Sequence, residues 1–498
     1  MTPLDWNPVN GWEWGTIVAD PRNPNIVYSS GNGINKISWP SEEWISVSPA
    51  ADPAMRARVT SSQPLVWAPW DPKMLITGFQ FVMVTTDGGA HWRRISPDLT
   101  YPEGAHVWPD SIVPPDSAPP RGAIETIAAS SAAAGTIWVG TNTGVIKVTR
   151  DFGKTWSDAS IPGLPFRATA LVEKVEASPF HAGTAYAVVD VLRAGDYKPH
   201  VYRTRDFGKT WMSIVSGLPT DLPTGSSVRV IRADPRRDAL LYLGTESSVY
   251  VSFDDGDDWQ SLRLNLPTTS YRDITFAGPD VIVGSYGRGV WALDGSSVLR
   301  QITPAVASDA ARLFAPDTAW RVRRNVGYNT PFPADVPHAE NPPEGVSVFY
   351  WLAAKPADEI TLEVRDASGA TIRRLTSSAS APVKEAAQPP HPNWWVAAPQ
   401  SLSTSAGLNR TNWDLRVDSP DALAHSFEIN ANPGETPASP LGPVVPPGKY
   451  TLTLAADGAH YATSVMVVND PRSPATAAAV RAQYALQMRI IAAMRASY

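Results

Sequence analysis

Not one cysteine occurs among the 498 residues. That absence excludes disulfides, thiolate zinc sites and a cysteine nucleophile together, and it leaves the compartment open. Long apolar runs are missing too. None approaches the roughly 18 residues needed to cross a bilayer, so no membrane span is expected. The opening MTPLDWNPVNGWEWG has no basic stretch and no apolar core and does not read as a signal peptide. Positive charge is scarce and scattered: 42 Lys and Arg stand against 48 Asp and Glu, for a net charge of −6. This balance argues against nucleic acid as a partner and against an anionic-membrane patch. The eight histidines are dispersed, without His-x-His or His-x-x-x-His spacing, so no metal site is expected. Neither a G-x-x-x-x-G-K-[ST] phosphate loop nor a G-x-S-x-G elbow occurs, and no cofactor is implied. What the chain does have is 48 Pro, 34 Gly and 19 Trp, the composition of many short strands joined by tight turns.

The strongest signal is a repeat. TRDFGKTW stands at residues 149–156 and again, letter for letter, at 204–211, with TTDGGAHW at 85–92 and SFDDGDDW at 252–259. The shared pattern is Ser/Thr-x-Asp-x-Gly-x-x-Trp. It comprises Asp87, Gly89 and Trp92; Asp151, Gly153 and Trp156; Asp206, Gly208 and Trp211; and Asp254, Gly256 and Trp259. Successive Asp residues lie 64, 55 and 48 positions apart, the period of propellers and solenoids. Around each box run alternating apolar stretches of four to six residues, as in GVIKVT and SSVYVS, which is strand periodicity. Asp and Gly supply a hairpin turn, and the hydroxyl and carboxylate can bond to backbone there. The four tryptophans are expected to fill the gaps between neighbouring sheets. Four strands per unit of about 50 residues is the pattern of a β-propeller blade. Five units are counted between residues 12 and 265, the first with a worn box around Trp44, and a shorter sixth spans 272–294. The ring is expected to be incomplete or to close as a small propeller.

These boxes resemble the Asp-box, or BNR, repeats of bacterial sialidases, of xyloglucanase-type two-propeller glycoside hydrolases and of sortilin. With SVRVIRADP (227–235) and GSYGRGVWALD (284–294), the chain is most similar to bacterial sortilin-like proteins often labelled glycosyl hydrolases. The resemblance implies that the boxes are structural devices on an outer rim, away from a central ligand channel. It also implies secretion or a periplasmic location. In that family more propeller precedes residue 12 and a further helix follows, so the chain reads as a piece of a longer protein.

After Leu299 the boxes stop. Residues 301–345 read as an irregular tether, and alternation returns from VSVFYWLA (346–353) to YATSVMVVND (461–470), suggesting an Ig-like β-sandwich over 346–470. Trp413 and Tyr450 are expected to face its core. Residues 471–498 switch to helical spacing, with Val480, Tyr484, Met488 and Ile491 on one stripe. The expected class is thus all-β: Asp-box blades over 1–300, tether, sandwich, and a terminal amphipathic helix.

A glycoside hydrolase needs two carboxylates about 5–10 Å apart. Candidate catalytic residues are loop acids outside the boxes: Asp190 and Asp196 in VVDVLRAGDYKPHVY (188–202), and Asp110 in the long loop 101–122. Aromatics able to stack on sugars are Trp108 in that loop and the pair Trp394 and Trp395 in HPNWWVAAP (391–399). The Phe/Tyr-Arg-Ile-Pro segment of sialidases is missing, which argues against that chemistry. The expected partner is a polysaccharide or glycan. The alternative is a non-catalytic scaffold that grips a protein or peptide.

Overall fold

A computed structural model describes residues 15–31, 33–49, 57–101, 122–164, 170–221, 226–322, 343–378, 391–420 and 429–497. The chain divides into two compact units. One is Asn7–Ala277 with Val281–Leu293, and the other is Asp294–Tyr498 with Gly278–Asp280 and Met1–Trp6.

The first unit is a series of small antiparallel sheets taken in chain order. Five have four strands: Ile17–Asp20 to Glu43–Ser46, Leu65–Ala68 to Arg93–Arg94, Ile124–Ala129 to Ser157–Asp158, Leu171–Ala177 to Met212–Ser213, and Val228–Ala233 to Gln260–Ser261. The sixth, Tyr271–Ala277 to Val290–Leu293, has three. The first strand of each sheet packs beside the first strand of the next, making an inner row. Apolar residues between the sheets, such as Trp138 with Val172 and Val189, form one small core per junction. The first strands of the first and sixth sheets do not pack together as successive ones do. The outer sheets accordingly expose apolar side chains among the described residues: Ile17, Trp44 and Ile45 at one end, Val290 at the other.

Every box makes the same hairpin. The hydroxyl of Thr149 donates to Asp151 Oδ1 (2.8 Å) and accepts from Gly153 N (3.0 Å), while Asp151 Oδ1 accepts from Thr155 N (2.9 Å). Thr204, Asp206, Gly208 and Thr210 repeat the set at 2.9 Å each. Thr85 with Asp87 and Ser252 with Asp254 follow the same plan. Each tryptophan then reaches back to the preceding sheet. Trp92 Nε1 donates to Val47 O (2.7 Å), Trp156 to Ile95 O (3.2 Å), Trp211 to Ala159 O (2.8 Å) and Trp259 to Ile214 O (2.9 Å). The box glycine is forced twice over. Gly208 has φ +80°, and a Cβ there would stand 2.4 Å from that of Ala159 on the neighbouring sheet. Local hairpin and inter-sheet clamp are therefore one device.

The second unit is a two-layer sandwich. A three-stranded sheet (Ala311–Leu313, Val346–Leu352, Gly407–Trp413) faces a five-stranded one (Ala319–Arg321, Ala459–Asn469, Gly448–Ala456, Thr361–Arg365, Thr371–Thr376) across a shared core. Two of these short strands come from within the stretch expected as an irregular tether. Alternation sets the inner face: Val346, Val348, Tyr350 and Leu352 are buried while the residues between them are not. Trp413 is buried and meets Tyr450 edge-on at 5.4 Å. The helix Ala477–Ser497 lays the expected stripe on this core: Ile491 is buried, with Tyr484 and Met488 packed against it.

Candidate functional site

The inner row repeats a pattern that differs in kind from the rim. Its strands read IETIAA (124–129), LVEKVEA (171–177), VRVIRA (228–233) and YRDITFA (271–277). In each, a charged residue follows the same apolar position: Glu125, Glu173, Arg229 and Arg272. The first three sit at β-bulges. Pairing skips Glu125 between Ile124 and Thr126, Glu173 between Val172 and Lys174, and Arg229 between Val228 and Val230. A bulge turns its side chain out of the regular alternation and is a recurrent device beside functional sites.

These side chains converge. Arg229, whose side chain is 8% exposed, bonds Asp190 Oδ2 through NH1 at 2.5 Å, contacts Glu173 Oε2 at 3.7 Å and pairs with Glu246 through Nε. Arg272 reaches the same Glu246 at 3.6 Å. Because one Arg229 nitrogen touches both acids, the Glu173 and Asp190 oxygens lie no further apart than the sum of those distances, about 6 Å. Burial pushes the Glu173 carboxyl up to about 7, Arg229 opposes the shift, and the Asp190 and Glu125 charges add to it. Burial also raises Glu125, against hydrogen bonds from Thr60 and Ser62. One strand position on, Lys174 is lowered to about 8, chiefly by burial and next by Arg232. A carboxyl that holds its proton near neutrality beside a second, ion-paired carboxylate is what general acid catalysis requires.

Among the expected site residues, Asp190 joins this network. It ends the strand Ala185–Asp190, and its other oxygen accepts from Leu192 N at 2.7 Å. Asp196 points elsewhere: it accepts from Lys198 N at 3.0 Å and pairs with His200 Nε2 at 3.0 Å. Asp110 and Trp108 lie outside the described residues. Trp394 and Trp395 stand edge-to-face at 5.8 Å in a short turn of the sandwich unit, Trp394 61% exposed. The box acids carry no such feature. Hydrogen bonds from Thr155 and Thr210 hold Asp151 and Asp206 down at about 2, and those from His91 lower Asp87. Asp87, Asp151 and Asp206 are turn-formers, fully ionised at neutral pH. No group of three or more His, Asp or Glu with metal-holding geometry occurs among the described residues.

Reading loop acids by type passed over Glu173, Arg229 and Glu246. The signal was there: a charged residue just after the first buried apolar residue near the start of successive blade-starting strands.

No family model matches the chain, and no curated protein does. Solved structures that match include an ancestral GH74 enzyme, at 13% identity over 75% of this chain with TM-score 0.38. Another is the GH74 xyloglucanase from Xanthomonas campestris, at 14% identity over 70% of this chain with TM-score 0.26. A computationally designed protein, Ika8, matches at 14% identity over 55% of this chain with TM-score 0.32. The chain spans 40%, 60% and 70% of these three proteins respectively.

Proposed function

We propose that this chain is an extracytoplasmic propeller protein of the sortilin-like, BNR-repeat kind that acts on glycans, with Glu173 and Asp190 as its carboxylate pair. The observation that carries the reading is the bulged row, in which Glu173 stays partly protonated near neutrality within about 6 Å of Asp190. Glu173 delivers its proton to the glycosidic oxygen as the anomeric C–O bond breaks. Asp190, steadied by Arg229, attacks the anomeric carbon. Water then cleaves the resulting glycosyl ester, giving its proton back to Glu173. An upper limit of about 6 Å lies below the roughly 6.5–9.5 Å of inverting pairs, which favours direct attack as in retaining enzymes. Trp394 is the proposed sugar platform of the second unit, which we read as an Ig-like module.

The test is reducing-sugar release from xyloglucan, mixed-linkage β-glucan and bacterial polysaccharides, with a glycan array run in parallel. Release that Glu173→Gln and Asp190→Asn abolish, and Asp196→Asn leaves intact, supports the enzyme. Binding without release, unaffected by Glu173→Gln, replaces it with a peptide- or glycan-gripping scaffold.

A further inference from the structure

On the rim, two clefts lie between the last strand of one sheet and the box of the next. Their walls come from equivalent positions of the repeat, so the residues there can be compared along the chain. By repeat position, the equivalents for the third and fourth sheets are Asp158, itself bonded to Lys147, and Lys209; for the fourth and fifth they are Ser213 and Asp257. Between the first and second the groove is lined by Ser46, Ser48, Ala90 and His91. The junction of the second and third sheets differs. Its cleft of about 590 Å³ is lined by Arg93, Arg94 and Lys154, with Phe152, Ile95 and Pro97.

Arg94 turns its charge away from the cleft: it shares the opposite strand face with Met83, its guanidinium lies 4.3 Å over the Phe81 ring, and Nε donates to Ser96 O at 2.6 Å. Arg93, paired with Val84 on the face toward the third sheet, and Lys154 of the next box are exposed and stand on opposite walls. Neither is ion-paired with an acid among the described residues. The Phe152 ring is 49% exposed at the cleft edge and braced edge-on by Trp70 at 6.0 Å. On a protein of net charge −6, two unneutralised cations across one recess make a local positive focus that ordinary solubility does not require.

We propose that this cleft is a binding site for an anionic sugar unit, a uronate or sulfated pyranose of an acidic polysaccharide. Arg93 and Lys154 hold the charge and Phe152 takes the apolar face of the ring. The volume lies in the range of small-ligand sites, roughly 300–1,000 Å³. A long, densely charged nucleic acid is disfavoured, because the chain's net charge is −6 and only two cations face the cleft. The proposal goes beyond the inner-row reading and uses none of its residues.

Isothermal titration of a galacturonate tetrasaccharide and of a heparin-derived tetrasaccharide tests it, with a neutral cello-tetrasaccharide and duplex DNA alongside. Binding of either acidic sugar should weaken at least tenfold in the Arg93→Ser/Lys154→Ser double variant. It should also weaken as salt rises and the attraction is screened over about 10 Å at 0.1 M. Whichever acidic sugar binds more tightly identifies the charged group. Phe152→Ala, which keeps a Cβ at the same positive φ and so adds no new backbone strain, should weaken binding without removing the salt dependence. Glu173→Gln should leave this binding unchanged, which separates its failure from failure of the inner-row chemistry. Absence of binding by the parent protein overturns the proposal. So does equal binding by the double variant, equal binding of the neutral sugar, or tighter binding of DNA.

Discussion

The rim and the inner row of the same blades obey opposite rules. On the rim, four boxes spend the same residue types on the same bonds, and the side chains that vary least do the most local work. In the inner row one position recurs with changing content: Glu125, Glu173, Arg229 and Arg272 share a register but not a charge. The difference teaches how to read a repeat protein. A residue kept identical from blade to blade meets a demand every blade has, namely the hairpin and the clamp onto its neighbour. A residue that changes sign at a fixed place, such as Glu173 against Arg229, meets a demand particular to its own blade.

The sharpest way to break this comparison is to neutralise one residue of each kind. Glu173→Gln is expected to lower glycan turnover by about 10²–10⁴-fold, the usual worth of a general acid. Its melting temperature should not fall. The sign follows from linkage: the folded carboxyl titrates near 7 against an ordinary 4.5, so folding binds a proton and the wild type loses stability as pH rises from 4.5 through 7. Melting curves at pH 5 and pH 8 should therefore show the variant gaining on the wild type at the higher pH. A variant that is destabilised throughout would make Glu173 a structural ion.

Trp259→Ala is the rim counterpart. Its indole is 2% exposed and its Nε1 bonds the preceding sheet, so removal should cost about 3–5 kcal/mol of unfolding free energy. Turnover per folded molecule should be unchanged. Loss of turnover at a temperature where the variant is folded would erase the distinction between rim and centre.

Gly208→Ala combines a left-handed backbone with the 2.4 Å approach to Ala159, and about 1–3 kcal/mol is expected in denaturant titrations. Full retention of stability would mean the sheets can separate there without penalty.

The smallest effect belongs to the box acids. Hydrogen bonds hold Asp206 at about 2 against an ordinary 3.8. The stability it lends is present above 3.8 and fades as pH falls toward 2. Melting temperatures of wild type and Asp206→Asn should differ at pH 5 and converge below pH 2. The side chain is solvent-exposed, so the gap should be small.

Much of the architecture was legible because it is local. Ser/Thr-x-Asp-x-Gly-x-x-Trp contains its own hairpin bonds within eight residues, and alternation from Val346 to Leu352 sets the sandwich face without reference to any distant segment. The helical stripe of Val480, Tyr484, Met488 and Ile491 was likewise readable, since a period near 3.6 marks one face. The strands Ala311–Leu313 and Ala319–Arg321 were not: three residues are too few to show a period, and only their partners Val346–Leu352 and Ala459–Asn469 define them.

The site divides along the same line. Sequence by itself determined the blade, its box and its clamp, because short-range hydrogen bonds and side-chain period are written in consecutive residues. It also offered Asp190 as a candidate while giving Asp196 equal standing. What surrounds each of them only the tertiary structure decided. Asp190, Glu173, Arg229 and Glu246 span 73 positions yet meet through one guanidinium, while Asp196 turns back to His200 four residues away. The physical reason is that a bulge and a burial-shifted carboxyl are properties of neighbours. A strand is skipped only relative to its partner, and Glu173 holds its proton only because blades remote in sequence close around it.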